Sequence, residues 1–458
     1  MANVLSDPSM ITVYLLSFVY PSLIILTLLT DIIRHKKLGS VLNILNGFVA
    51  LSLILLSLNT RGKPMEVFGY FTIRIDVVSM AMMLLVFLVE TIYGCYTYKD
   101  IPSYNKLFPI NIHIALLGYL VILLSACTDW LTFIILWEAI SFLAYYLILI
   151  SSKKYTTTYT YFIPLHISGF FLLVAASLLY ASGSLDFTAR IHSGSIIPYL
   201  LVLGLIAKPG IFPYHFWVQK VYEEINPIYA GLFSSIIDPI GLIGLYRLVY
   251  YNGLPTPLSI LAIILSIISI LISIIWYWGC DRLSSILAWS TIYNMSWIQL
   301  SILLLPTNIM AWLFTLYLLA HGLAKFSAFV TLAKIGEAPP HIIRLINSTP
   351  AFLLGSSLLA IEGVPPFGLF FAKVGILANI MNYNVLSTIL LIFSWAVSGI
   401  FFFRLLGKIM FPPEINGIIL ERSYSIDIID YLNGFLLVLI ILSPLIISYL
   451  SGGGVPIW

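Results

Sequence analysis

Lys208, Lys325 and Lys373 each stand inside an otherwise apolar stretch, and so do Glu138, Asp238, Glu362 and His321. An unpaired charge at bilayer mid-depth costs roughly 2.5–3.5 kcal/mol on insertion scales. Arg74, Arg247 and Asp76 fall at similar apparent depth, with Glu90 nearer an edge. That is more ionisable groups than a bundle needs to hold together. Their shared capacity is to take up and release protons, and such side chains within apolar segments mark ion and proton paths.

Spacing sharpens this. His321 and Lys325 are four residues apart, on one helix face, where one can hand a proton to the other. Glu138 and Lys208 read as an acid–base pair. At about 6 Å and an effective dielectric near 20 their attraction is roughly 3 kcal/mol. Burial opposes it, so opening and closing the pair changes the lysine's hold on its proton. Ser141 and Tyr145 follow Glu138 at helical spacing and orient it or hold water. Lys208 precedes Pro209, Gly210 and Pro213, and Lys373 follows Pro365, Pro366 and Gly368. Proline cannot continue a helix, and a broken helix frees carbonyls and admits water. A structural salt bridge is the plainer reading of Lys208, but the same lysine-plus-break recurs at Lys373. His215 gates the first break. Glu362 caps or braces the second. His113 and His166 have no lysine one turn away and read as structural. Arg74 and Arg247 read as anchors, with Asp76 the partner of Arg74. Pro239 loosens the helix that carries Asp238.

The elements that position these residues are membrane spans. The chain has 458 residues, 60% hydrophobic and 9% charged, with mean hydropathy +1.04. That is too little charge to cover a water-facing surface. A hydrocarbon core of roughly 30 Å needs about 20 helical residues, which gives about fourteen spans. The basic residues Arg34, Lys36, Lys37, Lys99, Lys106, Lys153, Lys154, Lys220, Arg282, Lys334, Arg344, Arg404, Lys408 and Arg422 fall in odd-numbered connections. Arg61, Lys63 and Arg190 alone fall in even ones. Positive charge stays cytoplasmic, which places both termini outside. The two breaks lie in the seventh and twelfth spans, each fourth in a block of five. Blocks of five are inverted in the membrane, the mark of a transporter built from inverted repeats. The expected organisation is an all-α polytopic membrane protein: 1–108 with three spans, 109–252 and 253–412 as the two repeats, and 413–458 with the last span.

Other chemistry is excluded. A net charge of +3 without a basic tract gives no nucleic-acid reading. Cys95, Cys127 and Cys280 have no metal-ligand spacing. No Walker loop, HExxH or GxGxxG is present, so no cofactor or metal is expected in this chain. The glycines at 452–454 read as a flexible tail, and the first apolar stretch, followed by Arg34, as a span and not a signal peptide.

Several stretches carry a resemblance. "KPGIFPYHFWVQKVYEEINPIYAGL", starting at Lys208, resembles the seventh-span signature of the antiporter-like subunits of respiratory complex I, membrane-bound hydrogenases and multisubunit Na⁺/H⁺ antiporters. "SACTDWLTFIILWEAISFLAYYLI" is similar to the passage that carries the family's key glutamate, here Glu138. "HGLAKFSAF" matches the His-xxx-Lys stretch at His321 and Lys325, and "GVPPFGLFFAK" the twelfth-span signature ending in Lys373. "RIDVVSM" and "DRLSSILAWSTI" also fit. The matches run in order from Arg74 to Lys373. The lysine at 373 and the short chain resemble the N-type subunit more than the M- or L-type. Asp238 departs from the pattern, since a lysine usually stands there.

The resemblance implies a proton-translocating membrane subunit of a quinone oxidoreductase, the translocase part of an enzyme, in a prokaryotic cell membrane. It implies neighbouring antiporter-like and small helical subunits as partners, with lipid around them. It places quinone, flavin and iron–sulfur clusters in those partners, and proton translocation on Glu138, Lys208, Asp238, His321, Lys325 and Lys373. A hydrogenase or Na⁺/H⁺ antiporter assembly is the nearest alternative. An inverted-repeat solute transporter would need a cavity with specific polar groups. A non-conducting scaffold is the third, kept open by Asp238.

Overall fold

The chain is described by a computed structural model at residues 7–60, 62–69, 71–99, 110–192, 194–381, 384–411 and 426–452. Arg61, Lys106, Arg422, Gly453 and Gly454, used above, lie outside the described residues. The first helices are α1 (Pro8–Ile32) and α2 (Lys36–Ser57), followed by a hairpin of β1 (Pro64–Val67) and β2 (Phe71–Arg74). Next come α3 (Val77–Lys99), α4 (Asn111–Ala126), α5 (Trp130–Ser152), α6 (Tyr155–Ala181) and α7 (Ile197–Leu205). After the first break follow α8 (Phe216–Glu224), α9 (Pro227–Asn252), α10 (Thr256–Trp278), α11 (Leu283–Leu304) and α12 (Thr307–Ile335). The last are α13 (Ser348–Glu362), α14 (Gly368–Ile380), α15 (Val385–Met410) and α16 (Ile428–Leu450). Among the described residues ten helices are long and apolar enough to cross a membrane, and α4 and α14 are shorter apolar helices.

The chain forms two compact units. The first comprises Met1–Leu205 and Ile243–Pro255. Within it α2 lies along α3, α5 along α6, and α6 against α7. Small residues let these backbones approach: a Cβ on Gly94 would stand 2.7 Å from the Ser40 carbonyl oxygen. The hairpin corrects one expectation. Arg74 is the last residue of β2 and not part of a span, and Asp76 stands just before α3. There Asp76 accepts the Ser79 N–H at 3.0 Å and pairs with Arg247, not with Arg74. Arg247 also donates to the Ser125 carbonyl at 2.9 Å, so its reading as an anchor stands.

The second unit comprises Ile206–Leu242 and Thr256–Trp458. Its centre is α12, which packs against the start of α9 and against α11, α13, α14 and α16. Every residue from Leu313 to Leu332 is buried. The end of α12 is pinned by Lys334, which donates to Asp427 at 3.0 Å and Asp430 at 2.6 Å. Those two acids form the capping box of α16. Both breaks read from proline and glycine are present. Helix α7 stops at Leu205 and α8 starts at Phe216, while α13 stops at Glu362 and α14 starts at Gly368. Gly210 (φ 68°) and Gly363 (φ 82°) adopt left-handed backbone that other residues resist. The Phe212–Pro213 and Pro365–Pro366 peptide bonds are both cis.

Candidate proton-translocating site

In the first unit the acid is Glu138 on α5, a helix capped by Asp129, which accepts the Thr132 N–H at 2.8 Å. Glu138 Oε2 lies 3.1 Å from Nδ1 of His166 on α6. Its Oε1 is buried with no hydrogen-bond partner among the described residues. The close approach depends on Gly169, one turn beyond His166. A Cβ there would stand 2.8 Å from Glu138 Cδ and nearer still to Oε1. Two rings hold the imidazole edge-on, Phe162 at 3.9 Å and Phe142 at 4.9 Å. Reading His166 as structural because no lysine follows one turn away missed this partner, which comes from another helix and is an acid. The bare signal was Gly169, a small residue on the same face. Ser141 donates to the carbonyl of Trp137 at 2.7 Å, and Tyr145 packs on Phe162 at 4.8 Å. His113 stacks on Tyr146 at 4.2 Å.

In the second unit Lys208 is fully buried at the start of the first break. The neighbouring carbonyl of Ala207 accepts the Trp217 indole N–H at 3.0 Å, which fixes α8 against the break. The Ser269 hydroxyl accepts the Phe212 N–H at 2.8 Å. His215 stands at the start of α8, stacked on Phe212 at 5.6 Å and 6.0 Å from Trp289. Asp238 follows a stretch of α9, Phe233–Ile237, wound as a π-helix, a widened turn common at functional positions. It is fully buried. Its Oδ2 accepts the Tyr222 hydroxyl at 2.5 Å, and its Oδ1 has no partner among the described residues. The fields of Lys325 and Lys208 both act on it.

His321 and Lys325 share a face of α12, as their spacing requires, and both are fully buried. Lys325 Nζ donates to the Leu287 carbonyl at 2.5 Å and to the Ser290 hydroxyl. Neither ring nitrogen of His321 has a hydrogen-bond partner among the described residues, and Lys325 and Lys373 act on it electrostatically. Lys373 on α14 donates to the backbone carbonyl of Glu362 at 2.7 Å. Its ammonium faces three rings, Tyr293 at 5.1 Å, Trp395 at 5.4 Å and Trp297 at 5.5 Å. Aromatic faces stabilise a desolvated cation by about 2 kcal/mol or more. The Glu362 carboxylate accepts the Ser398 hydroxyl at 2.6 Å. Tyr222, Ser290, Tyr293, Trp297 and Trp395 were not singled out in the sequence, because they come from distant segments.

Chemically, Lys325 and Lys373 give hydrogen bonds to neutral oxygens. A carbonyl or hydroxyl accepts from an amine as well as from an ammonium, more strongly from the ammonium, so neither protonation state leaves the nitrogen without a partner. Among the described residues no group of three or more His, Cys, Asp or Glu side chains is placed to hold a metal ion.

Residues 127–398 match the family described as NADH:quinone oxidoreductase/Mrp antiporter, transmembrane. Among relatives, component B of hydrogenase-4 from Escherichia coli is 26% identical over 383 residues, 74% of this chain. Subunit N of the NADH-quinone oxidoreductase of Coxiella burnetii is 26% identical over 311 residues, 62% of this chain. The match spans 56% of the length of the first and 64% of the second. Subunit N from Francisella tularensis is 22% identical, covering 85% of this chain and 86% of its own. Among solved structures, a chain of the Mrp complex from Dietzia has TM-score 0.83 at 15% identity, covering 97% of this chain and 98% of its own. One of respiratory complex I from Thermus thermophilus has TM-score 0.78 at 20% identity, covering 97% of this chain and all of its own. These two likenesses concern the fold. With more than half its length inside the family match, and with this helical architecture, the chain belongs to the NADH:quinone oxidoreductase/Mrp antiporter transmembrane family, as one of its antiporter-like integral membrane subunits.

Proposed function

We propose that the chain is the proton-translocating, N-type antiporter-like subunit of a complex I-type quinone oxidoreductase, driven by redox chemistry in partner subunits. One observation carries this. Inside a single compact unit, Asp238, Lys325, His321, Lys373 and Glu362 are all buried, on four different helices, and the neighbouring breaks interrupt the helical hydrogen bonding beside Lys208 and Lys373. A structural role needs one charge state of each group, whereas a relay needs two. The neutral acceptors on Lys325 and Lys373 suit two. Glu138, held by His166 and Gly169, serves as the entry acid, with Lys208 the first basic station of the second unit. In this reading the chain crosses the membrane fourteen times, as two inverted five-helix repeats after three leading helices, with both termini outside. Quinone, flavin and iron–sulfur clusters belong to the partners.

A second reading keeps the helices and changes the assembly. The match to a hydrogenase-4 component supports hydrogen as the coupled partner, and a multisubunit Na⁺/H⁺ antiporter assembly is the other alternative carried by the sequence resemblance. The test is a Lys325→Ala complex in proteoliposomes, with lumenal pH followed by a dye. A potassium diffusion potential, NADH with a short-chain quinone, hydrogen, or a sodium gradient drives it in separate arms. Loss of proton movement in an assembled complex is expected, and the arm that drives the parent names the machine. Parental rates in the variant would sink the proposal.

A further inference from the structure

Glu362 reads from the sequence as the residue that braces the second break. The brace is there, and most of it is made by the backbone; the side chain adds one bond, from Ser398 on α15. The backbone carbonyl of Glu362 accepts both Lys373 Nζ at 2.7 Å and the Trp395 indole N–H at 2.9 Å. Gly363 turns the chain in the left-handed conformation, and a Cβ there would stand 3.2 Å from Lys373 Cδ. Any residue at 362 supplies that carbonyl. The carboxylate is therefore surplus to that backbone brace, and it is an expensive surplus: the residue is 2% exposed. One oxygen, Oε2, accepts a single bond from Ser398. The other, Oε1, has no partner among the described residues.

The unpartnered oxygen has somewhere to look. Glu362 lines a cleft of about 430 Å³ whose walls include Val364, Pro365, Phe370, Ile400 and Phe403. Gly399 on α15 also lines it, and a Cβ on Gly399 would stand 3.7 Å from Oε1. Among the lining side chains only Glu362 and Trp395 carry polar atoms, and the Trp395 N–H is already committed. On its other side the carboxylate and the Lys373 ammonium act on one another electrostatically. Among the described residues, Tyr277, Tyr293 and Tyr317 also feel its field.

We infer that Glu362 is the terminal proton carrier of the chain, exchanging with Lys373 on one side and with the cleft on the other. The inference rests on the proton-translocating function proposed above. An N–H bond of the Lys373 ammonium breaks and an O–H bond forms on Glu362, leaving a neutral amine and a neutral acid. The acid then gives its proton to a water molecule in the cleft and returns to the carboxylate. The Glu362 carbonyl holds the lysine nitrogen in both states, while the aromatic rings stabilise its ammonium form and so favour its reloading.

The experiment compares Glu362→Gln, Glu362→Asp and Lys325→Ala in the whole complex, reconstituted and driven by a potassium diffusion potential across a range of pH. Glu362→Gln keeps the brace, so assembly and melting temperature should match the parent. Its proton flux should fall about tenfold or more, with loss of one ionisation from the pH profile. Glu362→Asp should restore most of the flux. An apolar carbodiimide, which reacts with protonated carboxyl groups, should label Glu362 through the cleft, as mapped on the isolated peptide. Glu362→Gln at parental flux, or absence of label on Glu362, overturns the inference. Lys325→Ala separates the two levels: if it stops flux while Glu362→Gln does not, the relay stands and only the terminal carrier is wrong. If Lys325→Ala leaves flux intact, the relay itself falls.

Discussion

Gly169→Ala perturbs the Glu138 site without touching a charge. A Cβ at 169 would stand 2.8 Å from Glu138 Cδ and nearer still to Oε1, inside the 3.0 Å that real Cβ atoms essentially never breach. The three nearest heavy atoms all belong to the Glu138 carboxylate group, the far end of a flexible side chain. The backbone has no reason to move, and the carboxylate must swing away instead. Oε2 then leaves His166 Nδ1, now 3.1 Å distant. The lost hydrogen bond to an ionised group costs about 1.5–3 kcal/mol at most, and less here because the pair is about one-third exposed. Alanine in place of a helical glycine returns roughly 0.5–1 kcal/mol, so the melting temperature should change little. Function should change far more, since misplacing a reacting group by about 1 Å lowers a rate on the order of a hundredfold. The assay is dye-reported proton flux in proteoliposomes beside a thermal melt of the same preparation. Gly118→Ala is the comparison: it crowds Glu90, a buried acid bound by Tyr20 at 2.9 Å and assigned no step in translocation. A Gly169→Ala complex that melts like the parent and translocates at its full rate would refute the assignment of Glu138.

Asp238→Asn should assemble and translocate at least about tenfold more slowly if the residue is a relay; normal flux would move the path away from α9. Arg247→Ala should lower the stability of the first unit by roughly 3 kcal/mol, because it leaves the Asp76 carboxylate without its cation and with only its bonds from Ser79; adding Asp76→Asn should recover part of the melting temperature, and no recovery would contradict the pairing. Reporter fusions at 153–154 and near Arg190 should report opposite faces of the membrane, the first cytoplasmic; one shared face would discard the fourteen-span topology.

The parts of the fold legible in the sequence were those that one residue type dictates alone. Proline and glycine clustered within a few residues disrupt helical hydrogen bonding where single ones, such as Pro164 in α6 and Pro444 in α16, do not, so the breaks after Leu205 and Glu362 were readable, as was the shared face of His321 and Lys325. The hairpin at Pro64–Arg74 was not read, because its apolar strand residues merge into the hydropathy of the next span. Asp76 was given Arg74, two residues away, when its partner Arg247 is 171 residues on. His166 and Tyr222 failed for the same reason: neighbours along the chain were legible, and neighbours across helices were not. Glu362 was half legible. Its place at the break was apparent, but only coordinates separate what its carbonyl does from what its carboxylate does.

The enclosure of α12 bears on what evolution is free to alter. The helix that carries His321 and Lys325 is walled from Leu313 to Leu332 by the chain itself, whereas in α10, α15 and α16 only about a third of the residues of the apolar stretch are buried. A substitution on the outward residues of those helices leaves the surroundings of Lys325 unchanged. Glu138 and His166 are different, since about a third of each side chain lies open on the isolated chain. A change of neighbour there alters the dielectric around the acid directly. A lineage that moved this bundle from one assembly to another would preserve α12 by default and would have to readjust the surroundings of α5 and α6.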